Sequence, residues 1–147
     1  MTRLAKTGLI ALLAWSVPLA TSAVQAAGAG TPYAATLNSG SEVPATDSKG
    51  TGSITATYDP ATKHLSWNGT YSGLTGPVTA AHFHGPAAAG ANAGVLVPVT
   101  ATSSPFSGEA TLDDSKAADL EAGKLYFNLH TAANPKGEIR GQVERAH

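Results

Sequence analysis

No cysteine occurs anywhere in the chain, which excludes a disulfide framework, thiolate metal sites and a cysteine nucleophile. No excess of positive charge occurs either. Nine Lys and Arg stand against ten Asp and Glu, so nothing favours nucleic acid or an anionic membrane surface as a partner. No Gly-rich phosphate loop leads into a helix with Lys and Ser or Thr, no G-x-S-x-G elbow is present, and no H-E-x-x-H pair occurs, so nothing points to nucleotide binding or the familiar hydrolases. The acids Asp113, Asp114, Asp119 and Glu121 gather on or beside one helical stretch, where capping and solvation account for them. No acid pair is placed to face another across a glycosidase cleft. Internal repeats are also missing.

The one long apolar run lies at the start. "MTRLAKTGLIALLAWSVPLATSAVQAAGAG" carries Arg3 and Lys6, then apolar residues from Leu9 to about Ala20, then small residues, the three-part pattern of a secretory signal. The run falls short of the roughly 18 to 20 residues that span a bilayer, and Ser16 and Pro18 break it. Residues 1–26 are expected to be a removed signal, with cleavage after Ala26, or after Ala29 as the second choice. The mature chain would hold a flexible start at 27–32, a single domain at 33–147 and a net charge of about −3, with no stable membrane insertion.

Beyond the signal, sixteen glycines, nine prolines and many Thr, Val and Ala residues in short apolar stretches predict an all-β fold of short strands and turns. "GTGSITATYDP" alternates Ile54, Ala56 and Tyr58 against polar residues. With the turn "DPATK" and the strand "HLSWNGTY" it reads as a hairpin over 51–71. "VTAAHFH", "VLVPVT", "FSGEATL", "KLYFNLH" and "GEIRGQVE" read as further strands, and Pro98 places "VLVPVT" at a sheet edge or a bulge. "DDSKAADLEAG" is the one helix, capped by Asp113 or Asp114 and ended near Gly123.

Side chains alternate across a strand, so in "AAHFHGPA" His82 and His84 share one face and Phe83 takes the core face. Two imidazoles about 6.5 to 7 Å apart along a strand can lean toward one metal ion. In "KLYFNLH" the apolar parity of Leu125, Phe127 and Leu129 sends Tyr126, Asn128 and His130 outward as well. His82, His84 and His130 are therefore the candidate metal ligands; the bland alternative is that they brace the loop "GPAAAGANAG" and the turn "TAANPKG" by hydrogen bonds. His64 is expected to be solvated, and His147 is the terminal residue; neither is a candidate. Arg140 lies on a polar face with Glu138 and Gln142. Its default role is an ion pair with Glu42 or Glu138, and its functional alternative is to draw a small anion toward a metal.

The runs "LNSGSEVPATDSKGTG", "YSGLTGPVTAAHFHGPAAAGANAGVLVPV" and "LEAGKLYFNLHTAANPKGEIRGQV" resemble the CHRD domain, the module named after chordin and found in many exported microbial proteins, over about residues 33–143. The resemblance implies an immunoglobulin-like or superoxide-dismutase-like antiparallel β-sandwich with one short helix. A weaker likeness at the level of the site is to copper/zinc superoxide dismutase. There a His-x-His pair and a histidine on a later strand bind copper, and His82, His84 and His130 match them. The chain lacks that enzyme's cysteine pair, zinc loop and fourth copper histidine, which excludes a full bimetallic dismutase.

Two functions follow as expectations. One is a periplasmic or secreted protein that binds copper, or zinc as second choice, through His82, His84 and His130, for holding or delivery, with superoxide dismutation as an extension. Copper is preferred because imidazole-rich sites suit it and the Irving–Williams order favours Cu(II). The other is a non-catalytic module that displays its loops to a protein partner in the cell envelope. Convergence of the three histidines would separate them.

Overall fold

The computed structural model describes residues 30–147; the expected signal at 1–26, both cleavage positions and residues 27–29 lie outside them. Its elements are β1 (Thr31–Asn38), a 3-10 turn at Ser39–Ser41, β2 (Thr51–Asp59), β3 (His64–Ser72), β4 (Val78–His84), β5 (Val95–Val99), β6 (Phe106–Thr111), α1 (Asp114–Glu121), β7 (Leu125–Thr131) and β8 (Ile139–Arg145). All pairings are antiparallel, and the strands run in the order β5-β4-β7-β8-β1-β2-β3-β6. This is the all-β class with one short helix that the composition predicts.

The sheet curls over on itself to make the two walls of a sandwich. Phe83 of β4 meets Trp67 of β3 edge-on with ring centroids 5.1 Å apart, and Phe127 of β7 stacks on Phe106 of β6 at 5.9 Å. Both contacts join strands far apart in the hydrogen-bonded order, so they close the core. The alternation read in the 51–71 hairpin is its inner surface: Ile54, Ala56, Tyr58, Leu65 and Trp67 are all buried. Strands β5 and β6 are left at the two edges, and Pro98 sits on β5, where a missing N–H is tolerated. Asp113 caps α1 by accepting from the Lys116 N–H at 2.9 Å, and Leu120 on its inner side is fully buried.

Two features differ from the sequence reading. The stretch expected to be flexible at 27–32 runs into β1 at Thr31. Tyr33, Ala35 and Leu37 then alternate into the core, and both neighbours, β2 and β8, pair with this strand. The second difference is larger. The outer faces of β4, β7 and β8 have the parity expected, yet they are largely covered, and the β4 residues Val78, Ala80 and His82 and the β8 residue Gln142 keep only partial access to water. Every residue of β7 is buried, and Tyr126, Asn128, His130 and Arg140 retain 3, 3, 8 and 2 % exposure. Three connections cover them, namely the 85–94 loop, the segment around Glu42 and Val43, and the 132–138 turn. The cover is held by hydrogen bonds from the strands below: Arg140 to Asn92, Gln142 to Ala87 at 2.9 Å and His130 to Pro135. Asn92 then ties the loop to the Val43 carbonyl at 3.0 Å.

Candidate metal centre

Register brings the three histidines together. In the β4–β7 ladder Ala80 faces His130, His82 faces Asn128 and His84 faces Tyr126, so His130 is the diagonal neighbour of His82 on the outer face. One nitrogen from each of His82, His84 and His130 can be chosen so that all lie within 4.8 Å of one another. That places a common point about 3 Å from each nitrogen, near the roughly 2.1 Å of a metal–imidazole bond. His82 Nδ1 and His130 Nε2 are already 3.1 Å apart.

Hydrogen bonds to the backbone decide which nitrogen each ring offers. His84 Nδ1 lies 3.0 Å from the Ala93 carbonyl and His130 Nδ1 lies 3.0 Å from the Pro135 carbonyl. A carbonyl only accepts, so in each neutral ring Nδ1 carries the proton and Nε2 keeps a lone pair. It follows that His82 Nδ1–H donates to His130 Nε2. The His84 Nε2 is buried and has no hydrogen-bond partner, a costly state for a polar atom unless something else satisfies it. Desolvation lowers the pKa of all three rings; the neighbouring imidazoles depress His82 further, and the carbonyl bonds oppose part of the effect at His84 and His130. All three are thus neutral at pH 7, the form that ligates metal.

The surroundings fix His84 most firmly. Its ring stacks on Tyr126 with centroids 4.9 Å apart and planes 2° from parallel. The Tyr126 hydroxyl donates to the Ala93 carbonyl at 3.2 Å and accepts from the Ala93 N–H at 3.1 Å. Because β7 lies between β4 and β8, Arg140 reaches Tyr126 from the other side, its Cζ 3.6 Å from the ring centroid. The ion pair expected between Arg140 and Glu42 or Glu138 is not formed. The guanidinium instead donates to Asn92 Oδ1 at 2.8 Å and to the Ala91 carbonyl, so its role is to hold the 85–94 loop that carries Ala93. His64, as expected, stays at the surface, where it faces Glu109 at 3.4 Å. The structural partners Tyr126 and Asn128 were visible in the sequence as outward residues beside His130; the carbonyls of Ala93 and Pro135 had no signal there.

Two buried acids flank the centre and behave oppositely. Glu138 is fully buried. Its Oε1 accepts from Ser48 Oγ at 2.6 Å and the Thr75 N–H at 2.8 Å, and its Oε2 from Thr75 Oγ1 at 2.7 Å and Thr131 Oγ1 at 2.5 Å. Burial acts to raise its pKa, but the donors from Ser48, Thr131 and Thr75 together outweigh burial and hold it at about 2. Glu42 is pushed up to about 7 by burial, against the charge of Arg140 and hydrogen bonds from Asn128 and Val43. Its Oε1 has no partner. Gly137, at φ 132°, makes room for it: a side chain there would meet Glu42 Oε1 at 2.5 Å and Asn128 Nδ2 at 2.8 Å.

Because the folded pKa of Glu42 lies above its unfolded value near 4.5, stability from the neutral acid is full below pH 4.5. It is lost as pH rises through 7. Glu42→Gln removes this titration. Relative to wild type, the variant is expected to gain on the order of 2 kcal/mol between pH 4.5 and pH 8, read from urea midpoints at the two pH values. An unchanged difference would show that Glu42 is not the group titrating.

Among the described residues no helix is long and apolar enough to cross a membrane. No curated protein and no solved structure matches the chain, and the weaker likeness to copper/zinc superoxide dismutase expected from the three histidines is not shown. The model of the CHRD domain does match, over residues 33–143. This span takes in all of the sandwich from Tyr33 to Val143, including the strands and loops that assemble the histidines, and the chain belongs to the CHRD domain family.

Proposed function

We propose that this chain is an exported CHRD domain protein that binds one transition metal ion through His82, His84 and His130 and serves to hold or deliver it. Copper is the preferred ion and zinc the second choice. The observation that supports the reading best is the convergence of three neutral imidazoles, two of them tied to backbone carbonyls through Nδ1, which leaves the Nε2 lone pair free to ligate. Such second-shell orientation is typical of histidine ligands; the same two bonds also brace the 85–94 loop and the 132–138 turn, and what a brace has no need of is the meeting of all three rings. The unpartnered Nε2 of His84 gains the partner it lacks. Copper is favoured by an all-imidazole donor set and by the Irving–Williams order. The residues give no separate support for turnover, so binding rather than catalysis is the assigned role.

Titration of the metal-stripped protein with Cu(II) and Zn(II), with elemental analysis and electron paramagnetic resonance, tests the reading. One equivalent of Cu(II) with nitrogen coupling is expected. Binding should vanish in the His82→Ala, His84→Ala double variant while the far-ultraviolet circular dichroism is retained. Unchanged stoichiometry in that variant would sink the assignment, and absence of stoichiometric binding by wild type would leave an envelope interaction module as the better account.

A further inference from the structure

We infer that His82 is the exchange ligand of the centre, the one imidazole through which metal enters and leaves, so that the site is built for transfer to an acceptor with its own nitrogen or sulfur donors. This rests on the metal-binding reading above and adds to it a direction and an order of events.

The three rings are held unequally. His84 and His130 are each 8 % exposed, and each is tied through Nδ1 to a backbone carbonyl. Those carbonyls are themselves anchored. Ala93 is gripped on both its peptide groups by the Tyr126 hydroxyl, and the adjoining Asn92 is held by Arg140 and Val43. Pro135 lies in a turn closed by Asn134 N–H to the Thr131 carbonyl at 3.1 Å and Gly137 N–H to the Asn134 carbonyl at 3.1 Å. Turning either ring away breaks a bond to fixed backbone and meets the covering loop.

His82 has none of this. It is only partly buried, makes no bond to the backbone, and keeps a single hydrogen bond, from Nδ1 to His130 Nε2. Its neighbour on the far side is the exposed Pro98 of the edge strand β5. Rotation of the His82 side chain therefore costs one hydrogen bond and frees the His130 Nε2 lone pair. Binding uses the same movement. The proton on His82 Nδ1 is given up to water and one is taken up at Nε2, after which Nδ1 joins the two Nε2 atoms with no net change in protons. Release reverses it: His82 swings out, an acceptor donor takes its place beside the metal, and the two anchored rings let go last. A site made only for retention gains from pinning all three ligands; here the solvent-side ligand is left free.

The test is stopped-flow transfer of one equivalent of Zn(II), and separately of Cu(I), from the protein to a chromophoric chelator. Wild type, His82→Ala, His84→Asn and His130→Asn are compared. The asparagine variants place an amide N–H where Nδ1 stood, so they keep a donor toward the Ala93 and Pro135 carbonyls and remove the Nε2 ligand, which separates loss of a ligand from loss of the fold. His82→Ala is expected to retain one-to-one binding, weakened roughly ten- to a hundredfold, with release faster by a similar factor. His84→Asn and His130→Asn are expected to lose stoichiometric binding. Transfer from wild type should level off at high chelator, at the rate of His82 movement, whereas transfer from His82→Ala should keep rising with chelator. Equal collapse of binding in all three variants overturns the inference while leaving the metal site intact. Failure of wild type to bind Zn(II), Cu(I) or, in the titration above, Cu(II) overturns the metal reading and this inference with it.

Discussion

Phe83→Ala is expected to lower the unfolding free energy by about 3–5 kcal/mol, the usual cost of emptying a fully buried aromatic site. Phe83 has no exposure; its ring meets Trp67 at 5.1 Å and Phe127 at 4.9 Å, both edge-on, and through Trp67 it joins the two walls of the sandwich. The residue also explains why two histidines flank a phenylalanine. A strand whose central side chain is locked in the core presents its two neighbours outward at a fixed height, so Phe83 is the anchor of His82 and His84. Phe83→Leu, which keeps most of the volume, is expected to lose less than about 2 kcal/mol. Urea unfolding of both variants checks this. A loss below about 1.5 kcal/mol for the alanine variant would mean that the strand is not held through this ring.

Glu138→Gln is the second large effect, expected at about 3 kcal/mol at pH 7 and shrinking toward zero near pH 2. Four donors converge on the two carboxylate oxygens, and an amide turns a donor of its own toward one set of them, leaving buried groups unpaired. The sign follows from the pKa. Glu138 is held at about 2 in the fold, below its ordinary 4.5. Its stabilisation is therefore complete above pH 4.5 and disappears as pH falls through 2. Wild type and variant should differ most at neutral pH and converge in acid, the reverse of the course expected for Glu42→Gln. A gap that persists at pH 2.5 would assign the loss to packing rather than to the charge. Since Glu138 ties Ser48 and Thr75 to Thr131, the variant is also expected to loosen the chain next to His130.

The histidines and the inner face were legible in the sequence because both depend on alternation along a single strand. Phe83 inward with His82 and His84 outward follows from the period of two, as does the grouping of Tyr126, Asn128 and His130. The meeting of His82 with His130 was not legible, because it depends on the register between strands 48 residues apart in the chain. The burial of the outer face was missed for a related reason. Parity tells which way Arg140 points, but its cover is a loop of Ala and Gly residues whose affinity for that place lies in backbone carbonyls, which no side-chain pattern reveals. Strand β1 was overlooked at the flexible-looking start because "TPYAATLN" has small residues on both parities, so Tyr33 and Leu37 alone mark its inner side. The default ion pair for Arg140 failed because carbonyl oxygens and the Tyr126 ring satisfy a buried guanidinium without a carboxylate.

The pairing of β1 with β8 sets a timetable for biogenesis. The first and last strands of the chain lie side by side in the middle of the sheet, with Asn38 opposite Arg140. A chain that emerges N-terminus first can join β1 only to β2 until β8 appears, so the sheet is completed only once Ile139–Arg145 have emerged. Arg140, which fastens the loop behind His84, arrives with that last strand. The histidines of β4 and β7 emerge earlier and can pair through their own ladder, but the bonds of Arg140 to Asn92 and the Ala91 carbonyl form only after β8 is in place. The covered face of the sandwich is therefore one of the last parts of the described residues to be completed, whatever order the earlier strands follow.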